Sequence, residues 1–89
     1  MAKPLELNCA DYRVTSASIG HRGSDSVFSC TLSPVTDEVV EALDDAAFSS
    51  RRVRLAFPKH PLVLESIAVV RVGRRRIRIA GRVVDVDAV

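Results

Sequence analysis

The sequence predicts a mainly β protein with one α-helix, folded as a small barrel or a strongly curled antiparallel sheet. Two observations predict this class. Several short segments alternate apolar and polar residues, whereas a single segment carries apolar residues at helical spacing. In addition, 47% of the 89 residues are hydrophobic but only 4% are aromatic, so aliphatic residues that favour strands must supply the core. A chain of this length forms one domain, residues 1–89.

The first third of the chain contains three strand-like segments. We predict a short strand over Leu5–Asn8 and a partly exposed strand over Asp11–Ile19. Residues 20–26 are rich in glycine and serine, which favours a loop. Alternation returns in Val27–Leu32, whose even-numbered residues form an apolar face.

A capped helix follows these strands. Thr36 is a favourable N-cap residue, and Asp37 and Glu38 stabilise the positive end of a helix dipole. The apolar stripe of the helix, at a spacing of about 3.6 residues, consists of Val39, Val40, Leu43, Ala46 and Ala47. Ser49 and Ser50 end the helix.

The pattern of the second half of the chain predicts three or four strands, of which the first three lie over Arg51–Phe57, Leu62–Val72 and Arg75–Ala80. The last two of these three lie side by side as a hairpin, because apolar residues alternate with arginine on both sides of Gly73 and Arg74. Glycine at the first loop position suits a two-residue turn that requires positive φ.

The register of this hairpin follows from the two-residue turn. It places Arg71 opposite Arg76 on a polar face, and Val70 opposite Ile77 on a buried face. Further along the chain, the predicted buried positions change from odd to even numbers. Such a change needs one extra residue, and Gly81 is where a β-bulge is easiest to accommodate.

Arginine outnumbers lysine eleven to two in this chain. Because a guanidinium binds carboxylates and phosphates with two hydrogen bonds, the excess favours recognition of an acidic partner. The competing interpretation is the codon usage of a GC-rich genome. The candidate partner-binding arginines are those predicted on the outside of the last strands and at the hairpin tip: Arg52, Arg54, Arg71, Arg74, Arg75, Arg76 and Arg78.

The helix is the acidic counterpart of the hairpin. Its candidate partner-binding residues are Asp37, Glu41 and Asp44, although a solvated helix face without any partner explains them as well. A chain with a basic hairpin and an acidic helix can pair head to tail with copies of itself. Contacts of that kind build rings.

No constellation of residues indicates catalysis. His21 and His60 lie in loop-forming sequence, away from any cysteine or carboxylate at a recognisable spacing. Cys9 and Cys30 lack a metal-binding spacing, and a reducing compartment favours two buried free thiols over a disulfide. We therefore expect no enzymatic activity, no cofactor and no metal ion.

The location of the protein is predicted from two absences in the sequence. The first residues lack the apolar run of a signal peptide, and no segment approaches the roughly 20 apolar residues of a membrane span. We expect a soluble protein that is made in the cytoplasm.

Four segments resemble small β-barrel modules of tailed-phage virions, such as tail and baseplate hub proteins and head–tail joining proteins. These segments are Phe28–Leu32, the helix Thr36–Ala47, the strand Val53–Leu55 and Gly81–Asp85. The resemblance implies a ring or sleeve subunit located in a virion. It also implies docking on other virion proteins or on copies of itself, with DNA as a secondary partner. It transfers no catalytic residue.

Together these observations predict a non-enzymatic assembly component that docks through an arginine-rich hairpin and an acidic helix. The alternative is a small arginine-dependent nucleic-acid-binding or regulatory protein. Nucleic acid would then be bound through its phosphate backbone, because the hairpin lacks the aromatic residues on which bases stack.

Overall fold

The computed structural model describes residues 3–57 and 61–84. Within them the chain forms six strands and one α-helix. In chain order these are β1 (Leu5–Asn8), β2 (Arg13–Arg22), β3 (Asp25–Ser33), α1 (Asp37–Phe48), β4 (Val53–Ala56), β5 (Leu62–Gly73) and β6 (Arg76–Val84), with a 3-10 turn (Cys9–Asp11) between β1 and β2. His60 and the predicted buried position Val86 lie outside the described residues.

The strands form one sheet in the order β1-β4-β5-β6-β3-β2. β1 pairs with β4 in parallel, and the other neighbouring strands are antiparallel. The mainly β class with one helix is confirmed. Two finer predictions are wrong: the sheet is mixed rather than wholly antiparallel, and it is not closed into a barrel.

The sheet is nevertheless strongly curled, as the chain connection between its two edges requires. In a flat six-stranded sheet, β1 and β2 would lie roughly 24 Å apart, since neighbouring strands are about 4.8 Å apart. The five residue steps from Asn8 to Arg13 span at most roughly 18 Å. The edges must therefore approach each other, and the 3-10 turn bridges the remaining gap.

One face of the sheet, here called the helix-side face, carries the core. Cross-strand partners share a face, and the pairs Leu32–Ile77 and Cys30–Ile79 are fully buried. α1 packs against β5 and covers this face with its predicted apolar stripe, of which Val40, Leu43 and Ala46 are buried. The opposite face of the sheet is called the outer face below.

The beginning and end of α1 confirm the sequence prediction. Thr36 is the N-cap, and its hydroxyl oxygen accepts a hydrogen bond of 3.3 Å from the backbone N–H of Val39. Val35, just before the cap, and Val40 in the first turns are both buried in the core. The helix ends at Phe48, and Ser49 is its C-cap.

A β-bulge in the middle of β5 changes which residues face the core. The register shifts between Glu65 and Ala68, and Ser66 adopts φ of 53°. Leu64 and Ile67 therefore both lie on the helix-side face. The predicted bulge at Gly81 is wrong, because the extra residue lies in the strand opposite it.

The bulge reverses the predicted faces of β5 beyond Ser66, whereas β6 keeps Ile77 and Ile79 buried as predicted. Val70 pairs with Arg78, and Arg71 pairs with the buried Ile77, so the predicted pairs Arg71–Arg76 and Val70–Ile77 are wrong. A second irregularity lies at Val72, between Arg71 and Gly73. Val70 and Val72 are consequently about half exposed instead of buried.

Both hairpin turns differ from the predicted loops. β5 and β6 are joined by Arg74 and Arg75, and Arg75 itself has φ of 55°, so the predicted Gly73-Arg74 loop is displaced by one residue. The predicted loop over residues 20–26 is instead mostly strand. Only Gly23 and Ser24 form the turn, where the φ of 65° at Gly23 suits glycine.

Candidate functional site

Four arginines from two parts of the chain, one at the start of β2 and three in and after the hairpin turn, meet at one end of the sheet. Arg13 begins β2 and pairs with Ser33, the last residue of β3. Arg76 begins β6 on the other side of β3, after the turn residues Arg74 and Arg75. These four, here called the arginine cluster, line a hollow of about 590 Å³ together with Ser33 and Pro34.

Backbone contacts fix the position of the hairpin tip. The N–H of Val35 donates a hydrogen bond of 2.9 Å to the carbonyl oxygen of Arg75, which ties the turn to the segment before α1. Gly73 pairs with Arg76, and a Cβ at Gly73 would lie 3.6 Å from that of Arg76. The arginine side chains thus extend from a backbone that is held at two points.

Among the described residues the arginine cluster has no direct ion pair, and the acidic residues Asp37 and Glu38 line an adjoining hollow with Arg75. In the described parts of the chain, no carboxylate lies within 4.0 Å of its four guanidinium groups. Its lining contains no acidic residue either. An anion entering the hollow would therefore meet free hydrogen-bond donors, and guanidinium donors match carboxylate and phosphate oxygens.

Three of the predicted partner-binding arginines form internal ion pairs, Arg52 and Arg54 on the outer side of β4 and Arg71 on β5. Arg54 Nη1 lies 3.1 Å from Glu6 Oε1, and Arg52 Nε lies 3.3 Å from Glu65 Oε2. Glu65 also pairs with Arg82, whose guanidinium lies 3.9 Å from Asp25. Seven arginines have no carboxylate within 4.0 Å in the described residues, and four of these seven form the arginine cluster at the hairpin end.

Arg71 and Arg78 lie on opposite faces of the sheet. Arg78 projects from the outer face, as predicted, and donates a hydrogen bond of 3.1 Å from Nη2 to Ser29 Oγ. Arg71 was expected beside it, and that prediction is wrong because of the bulge in β5. Arg71 lies on the helix-side face, 3.9 Å from Asp37 Oδ1 at the start of α1.

The outer face next to the arginine cluster contains small polar residues and no aromatic ring. The row adjoining the cluster consists of Thr15, Thr31, Arg78 and Val70. All four aromatic residues of the chain lie elsewhere: Tyr12, Phe28 and Phe57 in or against the core, and Phe48 on α1. This face can bind anions but offers no stacking platform for bases.

The solvent face of α1 carries negative charge along its whole length. Its acidic residues, here called the acidic stripe, are Asp37, Glu38, Glu41, Asp44 and Asp45, and all are exposed. No residue of the helix is basic. Within the described residues only Asp37 has a cation within 4.0 Å. Like charges four residues apart destabilise a helix by about 0.2–0.5 kcal/mol per pair, so this face lowers the stability of α1.

Phe48 and Arg13 are two surface residues that the sequence argument missed. Phe48 is 94% exposed at the end of α1. Its helical spacing of four residues from Asp44 and three from Asp45 places it on the acidic stripe rather than on the apolar one, a signal that was present in the sequence. Arg13 carried no such signal, because its position beside Arg76 depends on the strand order.

The two cysteines are buried free thiols, as predicted. Burial raises the pKa of Cys9 and of Cys30 from the ordinary value of 9.0 to about 11. The Cys9 thiol donates a long hydrogen bond of 3.8 Å to the carbonyl oxygen of Leu7. Reactive cysteines have lowered pKa values and partial exposure, so both thiols lie in environments of the opposite kind.

These raised pKa values predict that the protein loses stability in alkali. The unfolded chain releases the two thiol protons near pH 9.0, whereas the folded chain holds them to about pH 11. Stability is therefore complete below pH 9.0 and falls as the pH rises through 11. We expect urea unfolding midpoints to fall less steeply across this window in the Cys9→Ala/Cys30→Ala variant than in wild type. Parallel declines would contradict the assignment.

The described residues show neither a cation site nor a catalytic cluster around histidine. Among them, no group of three or more histidine, cysteine, aspartate or glutamate side chains is placed to hold a metal ion. His21 is exposed, with Nδ1 at 3.4 Å from Ser26 Oγ. In the same part of the chain, no helix has the length and apolar character needed to cross a membrane.

Comparisons with protein-family models, with curated proteins and with solved structures give no match to this chain. The resemblance to phage virion modules therefore stays a prediction. The resemblance rested partly on a closed barrel, and the sheet of this protein is open. What the structure defines is a curled mixed sheet with one helix, bearing an arginine cluster at one end and an acidic stripe on the helix.

Proposed function

We propose that this protein is a non-enzymatic assembly component that docks on an acidic protein surface through the arginine cluster. The observation that carries the proposal is the hollow lined by Arg13, Arg74, Arg75 and Arg76, whose guanidinium groups have no carboxylate within 4.0 Å in the described residues. Elsewhere on the sheet, Arg52, Arg54, Arg71 and Arg82 lie within 4.0 Å of a carboxylate, whereas Arg22 and Arg78 do not in the described residues.

Energetics favour an acidic occupant for this hollow. Three consecutive arginines and a fourth across the sheet repel one another, and an incoming carboxylate relieves that repulsion. Because these arginines are exposed to solvent, each guanidinium–carboxylate pair contributes about 0.2–1 kcal/mol, and several pairs must act together. Because arginine binds a carboxylate through two parallel N–H groups, the contact also selects the orientation of the partner.

Binding of nucleic acid is the second candidate function. Arg76 and Arg78 project from the outer face beside Thr31 and Ser29, so phosphate groups have donors along this strand. Against it, the outer face lacks aromatic residues, and the net charge of the chain is only +2. A docking role therefore agrees better with the distribution of charge, which is concentrated at one end instead of along a track.

A more specific version of this proposal places the protein in the tail, baseplate or connector of a phage virion, as the sequence resemblance implies. It rests on the sequence pattern alone. The docking role itself stands on the arginine cluster and is tested without reference to any virion.

The proposal is tested by fluorescence anisotropy with a labelled poly-glutamate peptide and, in parallel, a labelled DNA duplex. We expect the peptide to bind wild type and to lose affinity by about tenfold in Arg74→Ala/Arg76→Ala, because two charged hydrogen-bonding groups are removed. The matched control is Arg22→Ala/Arg51→Ala, which removes the same charge from exposed residues outside the hollow and should retain binding.

Two outcomes would contradict the docking role. Equal losses in the two double variants would indicate non-specific attraction by net charge. Tighter binding of the duplex than of the peptide, lost in Arg74→Ala/Arg76→Ala and steeply weakened by salt, would support the nucleic-acid function instead.

A further inference from the structure

We infer that the acidic surface bound by the arginine cluster is the acidic stripe of a second copy of this chain, so that copies join head to tail. The inference rests on the proposed docking function and names its partner. Three observations support the inference: the charges of the two surfaces, their exposed apolar residues and their relative position.

The charges of the two surfaces are complementary in number and in sign. The arginine cluster presents four guanidinium groups that have no carboxylate within 4.0 Å in the described residues. By the same criterion, four carboxylates of the acidic stripe have no cation. They are Glu38, Glu41, Asp44 and Asp45.

Repulsion between like charges within each surface also lowers the stability of the isolated chain. Glu41 lies four residues from both Asp37 and Asp45, so it repels both. Asp44 and Asp45 lie near the negative end of the helix dipole, where a basic residue would be favourable and α1 has none. The arginines at the hairpin tip repel one another in the same way. Contact between the stripe of one copy and the cluster of another removes both repulsions.

Each charged surface is accompanied by exposed apolar residues. Phe48 is 94% exposed and lies on the acidic stripe. On the basic side, Val70 is 55% exposed beside Arg78, and Val72 is 47% exposed two residues before the turn. Surface ion pairs alone contribute little, whereas an apolar centre with a charged rim is the usual anatomy of a protein interface. Phe48 packed on the two valines supplies such a centre.

The position of the two surfaces makes the contact intermolecular. Among the described residues of one chain, Asp37 is the single member of the stripe with an arginine, Arg71, within 4.0 Å, although Asp37 and Glu38 also line a hollow with Arg75. Asp45 lies roughly 12 Å further along the axis of α1, at 1.5 Å per residue, near the opposite end of the helix. A head-to-tail contact leaves one cluster and one stripe free on every pair, so it grows into a ring or a filament, whereas a reciprocal two-fold pairing of the same surfaces would stop at a dimer.

The test uses two charge-reversal variants and sedimentation velocity. Arg74→Glu/Arg76→Glu places two negative charges in the cluster, and Glu41→Lys/Asp44→Lys places two positive charges in the stripe. We expect wild type to form oligomers that grow with concentration and dissociate in high salt, and we expect each variant alone to be a monomer. Mixed together, the variants retain one intact cluster and one intact stripe, so they should associate into one-to-one dimers, which join further only where the introduced Glu and Lys side chains also pair.

Controls separate this contact from effects of net charge and of folding. Arg22→Glu/Arg51→Glu makes the same charge change outside the hollow and should assemble like wild type. Phe48→Ser should lower the association constant by about tenfold or more, since it removes the apolar centre. Formation of the mixed dimer also shows that both reversal variants are folded.

The outcomes distinguish the inference from the function on which it rests. If wild type stays monomeric but binds the poly-glutamate peptide, self-association is wrong and the docking function stands. If wild type is monomeric and the peptide does not bind, both are wrong. Oligomers that persist in both reversal variants would overturn the assigned interface.

Discussion

Replacement of Leu64 by alanine is expected to lower the free energy of unfolding by about 2–5 kcal/mol. Leu64 is fully buried on the helix-side face of β5. It pairs with the buried Val53 of β4 and packs against Gly81 of β6. Alanine removes apolar surface and leaves a cavity that the surrounding strands cannot close, since they are hydrogen-bonded on both sides. Natural domains are stable by only about 5–15 kcal/mol, so this loss is a large fraction of the total.

The measurement is urea unfolding followed by circular dichroism, with Val70→Ala as the matched control. Val70 lies on the same strand but is 55% exposed on the outer face, so its truncation should change stability by no more than about 0.5 kcal/mol. Had the faces of β5 been those expected from the sequence, Val70 would be a core residue. A loss for Val70→Ala as large as that for Leu64→Ala would therefore contradict the bulge in β5.

Replacement of Gly81 by valine is the second change with a large expected effect, a loss of about 1–3 kcal/mol or more. A Cβ at Gly81 would lie 3.0 Å from Ile67 Cγ2, 3.1 Å from Leu64 Cβ and 3.3 Å from the carbonyl oxygen of Glu65. Two of these three atoms belong to the backbone or are directly attached to it, so they move only if β5 moves. The bulge brings β5 this close, which is why a side chain has no room at Gly81.

Gly20→Val is the matched control for this substitution. Gly20 lies on the edge strand β2, and a Cβ there would meet no atom within 4 Å. We expect its stability to stay within about 0.5 kcal/mol of wild type. Thermal and urea unfolding of the two variants side by side tests the prediction, and equal stability of the Gly81→Val and Gly20→Val proteins would refute the close packing at the bulge.

Much of the secondary structure follows from the sequence because its causes are local. Alternation along Val27–Leu32 and Arg51–Phe57 predicted two strands whose buried residues are confirmed. Thr36 and the apolar stripe predicted α1 nearly residue by residue, since capping and helical periodicity involve neighbours within one or two turns.

The candidate site was only half predictable. The turn arginines at positions 74 and 75 stand out in the sequence, and Arg76 follows them. Arg13 joins them only because β2, β3 and β6 are neighbours in the sheet. Conversely, Arg52 and Arg54 looked equally free in the sequence, but their carboxylate partners, Glu65 and Glu6, lie on other strands. Ion pairs between strands cannot be predicted until the order and register of the strands are known.

Local features of the chain were enough to predict most of the strand-forming segments, the limits of α1, the acidic character of its solvent face and the arginines at the hairpin tip. Only the tertiary structure decided the sheet order with its parallel β1–β4 pair, the bulge at Ser66, and hence the faces on which Arg71 and Val70 lie. The physical reason is the period of two in a strand. One extra residue reverses every side chain beyond it, and whether a residue is extra depends on the partner strand rather than on its own neighbours.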